Sequence, residues 1–311
     1  MDPISAPVLA AAFAAAILPF LRRSPFVLAV AILNVAIFLY TVAALVMLGS
    51  DAPFHDLAMR PESAFGDRAH TLLTHMFLHG SLLHILGNTL FLVLFGMPLE
   101  ARIGPRRVAA IYFAAGITAG VLDSAAAIFV TGDADVYRVG ASGAIFGVMG
   151  AFLALYPTQE ILMPLVVIVT EAPVWVGVVI YGGFETYLVL IRQSDGVGHM
   201  AHVGGLVAGI AAGPLVAGEI AVPKTLVPGA LDPIARSGRA RELVVRIAEE
   251  DLPDIREAWL DELEKVARCP GCRAQLARRG DAFECTECAF SVRYRERRGR
   301  RARRRSRESG Q

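Results

Sequence analysis

The sequence predicts an all-α membrane protein. A bundle of six transmembrane helices, with an N-terminal apolar segment as candidate seventh, precedes a small cysteine-bearing cytosolic module. Three observations carry this reading. Of the 311 residues 55% are hydrophobic and only 19% charged, with a mean hydropathy of +0.51, a balance that water-soluble chains of this length do not have. The net charge of +1 conceals a split: up to about residue 220 charges are few and sit in short loops, and beyond it Arg and Glu crowd together. That is a membrane domain followed by a water-soluble tail. Finally, the four cysteines all fall in the tail as two CxxC pairs. None is placed to staple an extracellular loop, which excludes a disulfide framework.

In chain order, residues 6–20 are apolar, marginal in length for a span, and end at Arg22-Arg23. Asp2 and the absence of a basic n-region make Val8–Leu18 a poor signal peptide. Phe26–Leu48 is long enough to cross a ~30 Å hydrocarbon core. Residues 50–70 read as a polar loop. Gly80-Ser81 starts the next helix, with Ser81 as its N-cap; His84 and Asn88 then share one face at i,i+4, while His75 and His79 precede the cap. That helix ends near Met97. Glu100, Arg102, Arg106 and Arg107 form a basic loop, followed by a helix over about 108–130. Asp133, Asp135 and Arg138 mark the loop on the opposite side. The Ser142 helix stops at Pro157, 161–169 reads as a hydrophobic connection, and spans from about Pro173 to Ile191 and Gly196 to Val216 complete the bundle. The Lys/Arg bias puts Arg22-Arg23, the 102–107 loop and the tail on the cytoplasmic side.

The chemistry centres on Gly140-Ala141-Ser142-Gly143. The 15 residues from Ser142 to Tyr156 make roughly 22 Å of helix at ~1.5 Å per residue, too short for a ~30 Å core. Ser142 therefore begins its helix below the membrane surface, where non-helical backbone survives only if enclosed by protein or lining a wet cavity. Gly143, Gly147 and Gly150 form one small-residue stripe; Gly205, Gly209 and Gly213 form another, on the helix face that carries His202. Such stripes let helices approach closely, which would bring the Ser142 hydroxyl within hydrogen-bond reach of His202, the arrangement of an activated serine. The Ser142 amide, His84 and Asn88 are the candidate oxyanion donors. His199 reads as a loop or pocket-edge residue.

On His79…His84…Asn88, Gly140-x-Ser142-Gly143 and Ala201-His202-x-x-Gly205, in this order, the chain resembles the rhomboid intramembrane serine proteases over about residues 25–218. The resemblance implies a six-helix bundle, a Ser142–His202 dyad with no triad aspartate, and no cofactor for catalysis. It also implies oxyanion roles for His84 and Asn88, flanking histidines at His75 and His79, and an aromatic at Phe146 stacked on the catalytic histidine. Gly140, Gly143 and Gly205 support the site. Where many members carry Trp-Arg before the first motif, the aligned residues here are His70-Thr71.

Five domains are expected: an N-terminal hydrophobic segment (1–24), the membrane domain (25–218), a linker with short amphipathic helices near Arg239–Glu250 and Asp254–Val266 (219–267), a zinc ribbon (268–292) and a basic tail (293–311). Pro223, Pro228 and Pro233 punctuate the linker, and Trp259, Leu260 and Leu263 share one side of its second helix. Cys269, Cys272, Cys285 and Cys288, two CxxC knuckles separated by twelve residues, have the spacing of a structural zinc site. The expected function is a multi-pass cell-membrane endopeptidase that cuts transmembrane or juxtamembrane segments of other membrane proteins in the lipid bilayer. The alternative is a non-catalytic binder of transmembrane helices on the same fold. The ribbon's partner is not legible, and nucleic acid is not expected.

Overall fold

The computed structural model describes residues 1–21, 25–165, 168–191, 198–217, 227, 229–250 and 253–294. Arg22-Arg23, Gly196, Pro223, Pro228 and the arginine-rich end beyond Tyr294 lie outside them. The chain divides into two units, Met1–Gly218 and Glu219–Gln311.

In the first unit, α1 (Ala6–Leu21) follows a turn capped by Asp2, and its start is tied down by Ser5 Oγ donating to Asp56 at 2.8 Å. The next helix, α2 (Phe26–Leu48), has no side-chain cap of its own and ends on left-handed Gly49. Its first amides donate instead to Glu100, from Phe26 at 3.0 Å and Val27 at 2.7 Å. A carboxylate read as part of a basic loop thus satisfies the positive end of a distant helix. The segment expected to be a loop (50–70) folds into short helical turns at Ala52–Leu57 and Pro61–Ser63, helped by Pro53 at the second position of one and Pro61 at the first of the other, each with φ already near the helical value.

Helix α3 (Leu82–Ile103) starts where Ser81 Oγ accepts from the His84 amide at 3.2 Å. It contains a π-turn at Leu92–Gly96, where Gly96 lies against Val27 so closely that a Cβ would be 2.9 Å from its methyl. Then come α4 (Pro105–Thr131) and α5 (Ser142–Leu155). The connection expected over 161–169 is an antiparallel hairpin of β1 (Glu160–Leu165) and β2 (Ile168–Pro173), in register from Glu160↔Pro173 to Leu165↔Ile168. Its residues are rich in Ile, Leu and Val, which suit a pleated strand. Helices α6 (Val174–Leu190) and α7 (His199–Ala217) follow.

Five of these rods are long and apolar enough to cross a membrane, and α5 and α6 are shorter apolar helices. Together they supply the six expected spans and the N-terminal segment. Large apolar side chains such as Leu39, Val46, Phe129 and Leu215 point outward, as a lipid-facing surface requires.

The second unit is not a linker plus a free ribbon. Helices α8 (Gly238–Glu249) and α9 (Pro253–Val266) share one core with the three-stranded sheet of β3 (Leu276–Arg279), β4 (Ala282–Cys285) and β5 (Ser291–Arg293). Leu243, Ile247, Leu260 and Leu263 pack with Cys269, Leu276, Phe283 and Tyr294. The amphipathic faces of both helices need an apolar surface to cover them, and among the described residues they find it on the sheet. Ser237 caps α8 by accepting from the Ala240 amide at 3.1 Å, and Arg246 stacks over the Trp259 ring at 4.9 Å.

Candidate active site

The loop before α5 is built around Gly140. Its φ of +125° is open to glycine and strained for other residues. Its amide donates to the His75 carbonyl at 2.9 Å, and a Cβ there would lie 2.6 Å from His84 Nε2 and 3.7 Å from Asn88 Nδ2. Glycine is therefore needed both for conformation and for space. The turn delivers Ser142 to the first position of α5, where its amide is among the donors that a helix start leaves unpaired.

His202 lies in the first turn of α7, its amide donating to the Gly198 carbonyl at 3.2 Å. A Cβ added to Gly205 would strike the carbonyl oxygen of Gly143, one added to Gly209 would strike that of Gly147, and one on Gly213 would meet Ala151 Cα at 3.0 Å. So α5 and α7 touch backbone to backbone. That contact brings His202 Nε2 to 2.7 Å from Ser142 Oγ, across 60 residues of sequence. The Phe146 ring stacks on the imidazole, centroids 4.8 Å apart and planes 13° from parallel.

Ser142 and His202 line a cavity of about 760 Å³ that also takes in His84, Asn88, Asp123 and Glu185. The Asn88 Nδ2 group is buried without an acceptor, a donor aimed into the cavity. His79 is buried with its ring 5.1 Å from that of His84. His75 lines the same cavity with its Nδ1 2.8 Å from the Thr71 carbonyl, and its own carbonyl accepts from the Gly140 amide.

Two acids in apolar helices escaped the sequence reading. Asp123, in α4, holds Arg138 at 3.0 Å, and Arg138 holds Asp133 at 2.5 Å, which clamps the loop leading to Gly140. Glu185, in α6, approaches His199 Nδ1 to 2.6 Å and His202 Nδ1 to 2.9 Å with the same oxygen, Oε2. The second contact is short but off the line of a straight hydrogen bond. The dyad implied by resemblance therefore has a carboxylate beside it, and His199, read as a loop or pocket-edge residue, is the first residue of α7 and a buried partner of that carboxylate. The signal was present in the sequence: an ionisable residue inside a membrane helix is a functional suspect by default.

Glu185, His199 and His202 also bring three ligand-type atoms within 4.8 Å of one another. However, 2.6 and 2.9 Å are hydrogen-bond separations, shorter than the roughly 3.3 Å edges that ~2.0 Å bonds impose around tetrahedral zinc.

A Rhomboid domain profile matches residues 66–219. The chain belongs to the rhomboid family. It is 28% identical over 155 residues to RHOMBOID-like protein 4 of Arabidopsis thaliana, covering 48% of this chain and 34% of that one. It is 28% identical over 141 residues to YdcA of Bacillus subtilis, provisionally named a rhomboid protease, covering 43% and 68%. With Rhomboid-related protein 1 of Caenorhabditis elegans it shares 30% identity over 151 residues, covering 46% and 38%. The rhomboid chain thus spans about a third of the Arabidopsis relative's length and about two thirds of the Bacillus one's.

In the C-terminal unit, the Sγ atoms of Cys272 and Cys285 are 3.4 Å apart, those of Cys269 and Cys288 3.6 Å, and those of Cys272 and Cys288 3.7 Å. A disulfide would need about 2.05 Å. The separations fit the roughly 3.8 Å edges of a tetrahedron with ~2.3 Å zinc–sulfur bonds. Amide N–H groups of Cys272 and Gly271 directed at Cys269 pull its thiol down to about 6, whereas the neighbouring thiols push Cys272 and Cys288 up.

Proposed function

We propose that this rhomboid protein is an intramembrane serine endopeptidase that cuts transmembrane or juxtamembrane segments of other membrane proteins. The observation that carries the reading is the 2.7 Å contact between His202 Nε2 and Ser142 Oγ inside a cavity enclosed by apolar helices. Ser142 Oγ attacks the scissile carbonyl while its proton passes to His202 Nε2. The Ser142 amide, Asn88 Nδ2 and His84 face the developing oxyanion. Collapse breaks the peptide C–N bond, and His202 hands the proton to the leaving amine. Water then cleaves the acyl-enzyme ester by the same exchange in reverse. Phe146 holds the imidazole plane through its stacking, and no metal takes part.

The substrate must leave helical form to reach Ser142, so segments with small or helix-breaking residues are favoured. The Lys/Arg bias supports a tail on the cytoplasmic side. There Cys269, Cys272, Cys285 and Cys288 would hold one structural zinc, four thiolates leaving it no open position for catalysis. The decisive experiment compares membrane-protein fragments from cells carrying wild-type protein with those carrying Ser142→Ala. Fragments that depend on Ser142 are expected; an identical set from both would overturn the assignment.

A further inference from the structure

Glu185 is the one charged residue of α6. Its neighbours Phe184 and Tyr187 are exposed where lipid would lie, and Glu185 turns inward to line the Ser142 cavity. Thr186, beside it, bonds back to its own helix at Gly182 O, 2.7 Å away, so it does not compete for the carboxylate. A charge in an apolar helix is retained only with partners, and Oε2 has two: Nδ1 of His199 at 2.6 Å and Nδ1 of His202 at 2.9 Å.

A carboxylate oxygen only accepts, so His199 presents Nδ1–H to it, and its 2.9 Å approach to His202 Nδ1, close but not aligned as a hydrogen bond, favours the Nδ1–H tautomer there too. That choice of tautomer leaves the lone pair of His202 on Nε2, the atom 2.7 Å from the Ser142 hydroxyl. It is the tautomer a general base needs, and the carboxylate is placed to stabilise the imidazolium once the serine proton has moved. His199, held at the shorter distance, fixes the carboxylate. The unaligned contact at His202 does not count against this role, since catalytic hydrogen bonds commonly straighten only when substrate is bound.

Resting on the protease reading, we propose that Glu185 is a positioning residue that extends the Ser142–His202 dyad into a Ser–His–Glu arrangement. Its third member is supplied by α6 and steadied by His199. Glu185 stays ionised throughout and never touches substrate; the only proton that moves goes from Ser142 Oγ to His202 Nε2 and on to the leaving amine.

The test uses the full chain in lipid vesicles, reading cleavage of a transmembrane test peptide and labelling of Ser142 by a fluorophosphonate. If the wild type neither cleaves nor labels, the protease reading itself fails. If it does both, Glu185→Gln should lower kcat by about 10²–10⁴-fold, the upper end being the loss when a triad carboxylate becomes an amide. KM should stay within about threefold, labelling should slow in parallel, and Glu185→Asp should recover most of the loss. A Glu185→Gln enzyme with wild-type kcat, or one that loses only substrate affinity, overturns the proposal. A second measurement does not depend on the variant folding. Nitrogen NMR of isotope-labelled histidines in the wild type should find neutral His202 protonated at Nδ1, and protonation at Nε2 would overturn the assignment equally.

Discussion

The membrane unit and the C-terminal unit each gather reactive side chains from distant parts of the chain, by opposite means. Between α5 and α7 the gathering agent is missing bulk: Gly205 and Gly209 lie on the carbonyls of Gly143 and Gly147 with no room for a Cβ. Two helices in lipid gain nothing from hiding apolar surface from one another, so contact must come from close packing. In the C-terminal unit the four thiols meet at the ends of a small sheet whose core also needs α8 and α9, and the fit to a metal is what would hold them. The first cluster is exact in geometry because the backbone itself is the spacer. The second has the spacing of a metal site and, if zinc holds it, should come apart without the metal.

The largest test of that contrast strikes the dyad. Ser142→Ala or His202→Ala should each reduce cleavage to background, by as much as about 10⁶-fold on the scale seen when a serine hydrolase loses its nucleophile, and the double variant should be no worse. Losses that multiplied would mean that the seam does not create one catalytic unit. Next in size, Asn88→Ala should lower kcat by ~10²–10³, the usual loss for one oxyanion donor, with little change in KM. If affinity alone fell, Asn88 would be a packing residue.

Smaller again is the effect of filling the seam. Gly205→Ala should lower stability by about 1–3 kcal/mol through overpacking and slow cleavage about tenfold or more by prising His202 from Ser142. Gly183 has open space around its α position, so Gly183→Ala in α6 should be neutral or add up to about 1 kcal/mol. Thermal melting in detergent, paired with rate measurements, separates the two. The smallest expected effect on cleavage comes from the other region. A strong chelator should release one zinc per chain and unfold the sheet around the cysteines, seen as lost protection in hydrogen exchange, while cleavage of a test peptide in detergent stays within about twofold. Chelation that stopped cleavage would erase the distinction between the regions.

Ser142, His202 and the two glycine stripes were legible because a membrane span prints its length, its small-residue face and its rare polar groups directly in the sequence. The Ser81 cap was legible for a similar local reason. Glu185 was not, although a carboxylate at that depth stood in plain view, because its partners lie 14 residues away for His199 and beyond a helix reversal, where no fixed spacing links them. The β1–β2 hairpin escaped because an aliphatic run such as 161–169 reads the same as strand, buried helix or connection until its pairing is known. The fusion of α8, α9 and the cysteine sheet into one core escaped because amphipathic faces announce that something covers them, not what does.

On the proposed mechanism, that the base sits on the last helix of the membrane unit also sets a timetable for synthesis. Ser142 and His202 are 60 residues apart, which at ~5–20 residues per second is roughly 3–12 s of translation. Throughout that interval Ser142 is in the membrane without His202 to accept its proton. Only when α7 inserts and seats its glycines against α5 does the hydroxyl gain a base. A nascent chain is thus chemically silent toward its neighbours until its final span has docked, and a chain stalled or truncated before His202 stays silent for good.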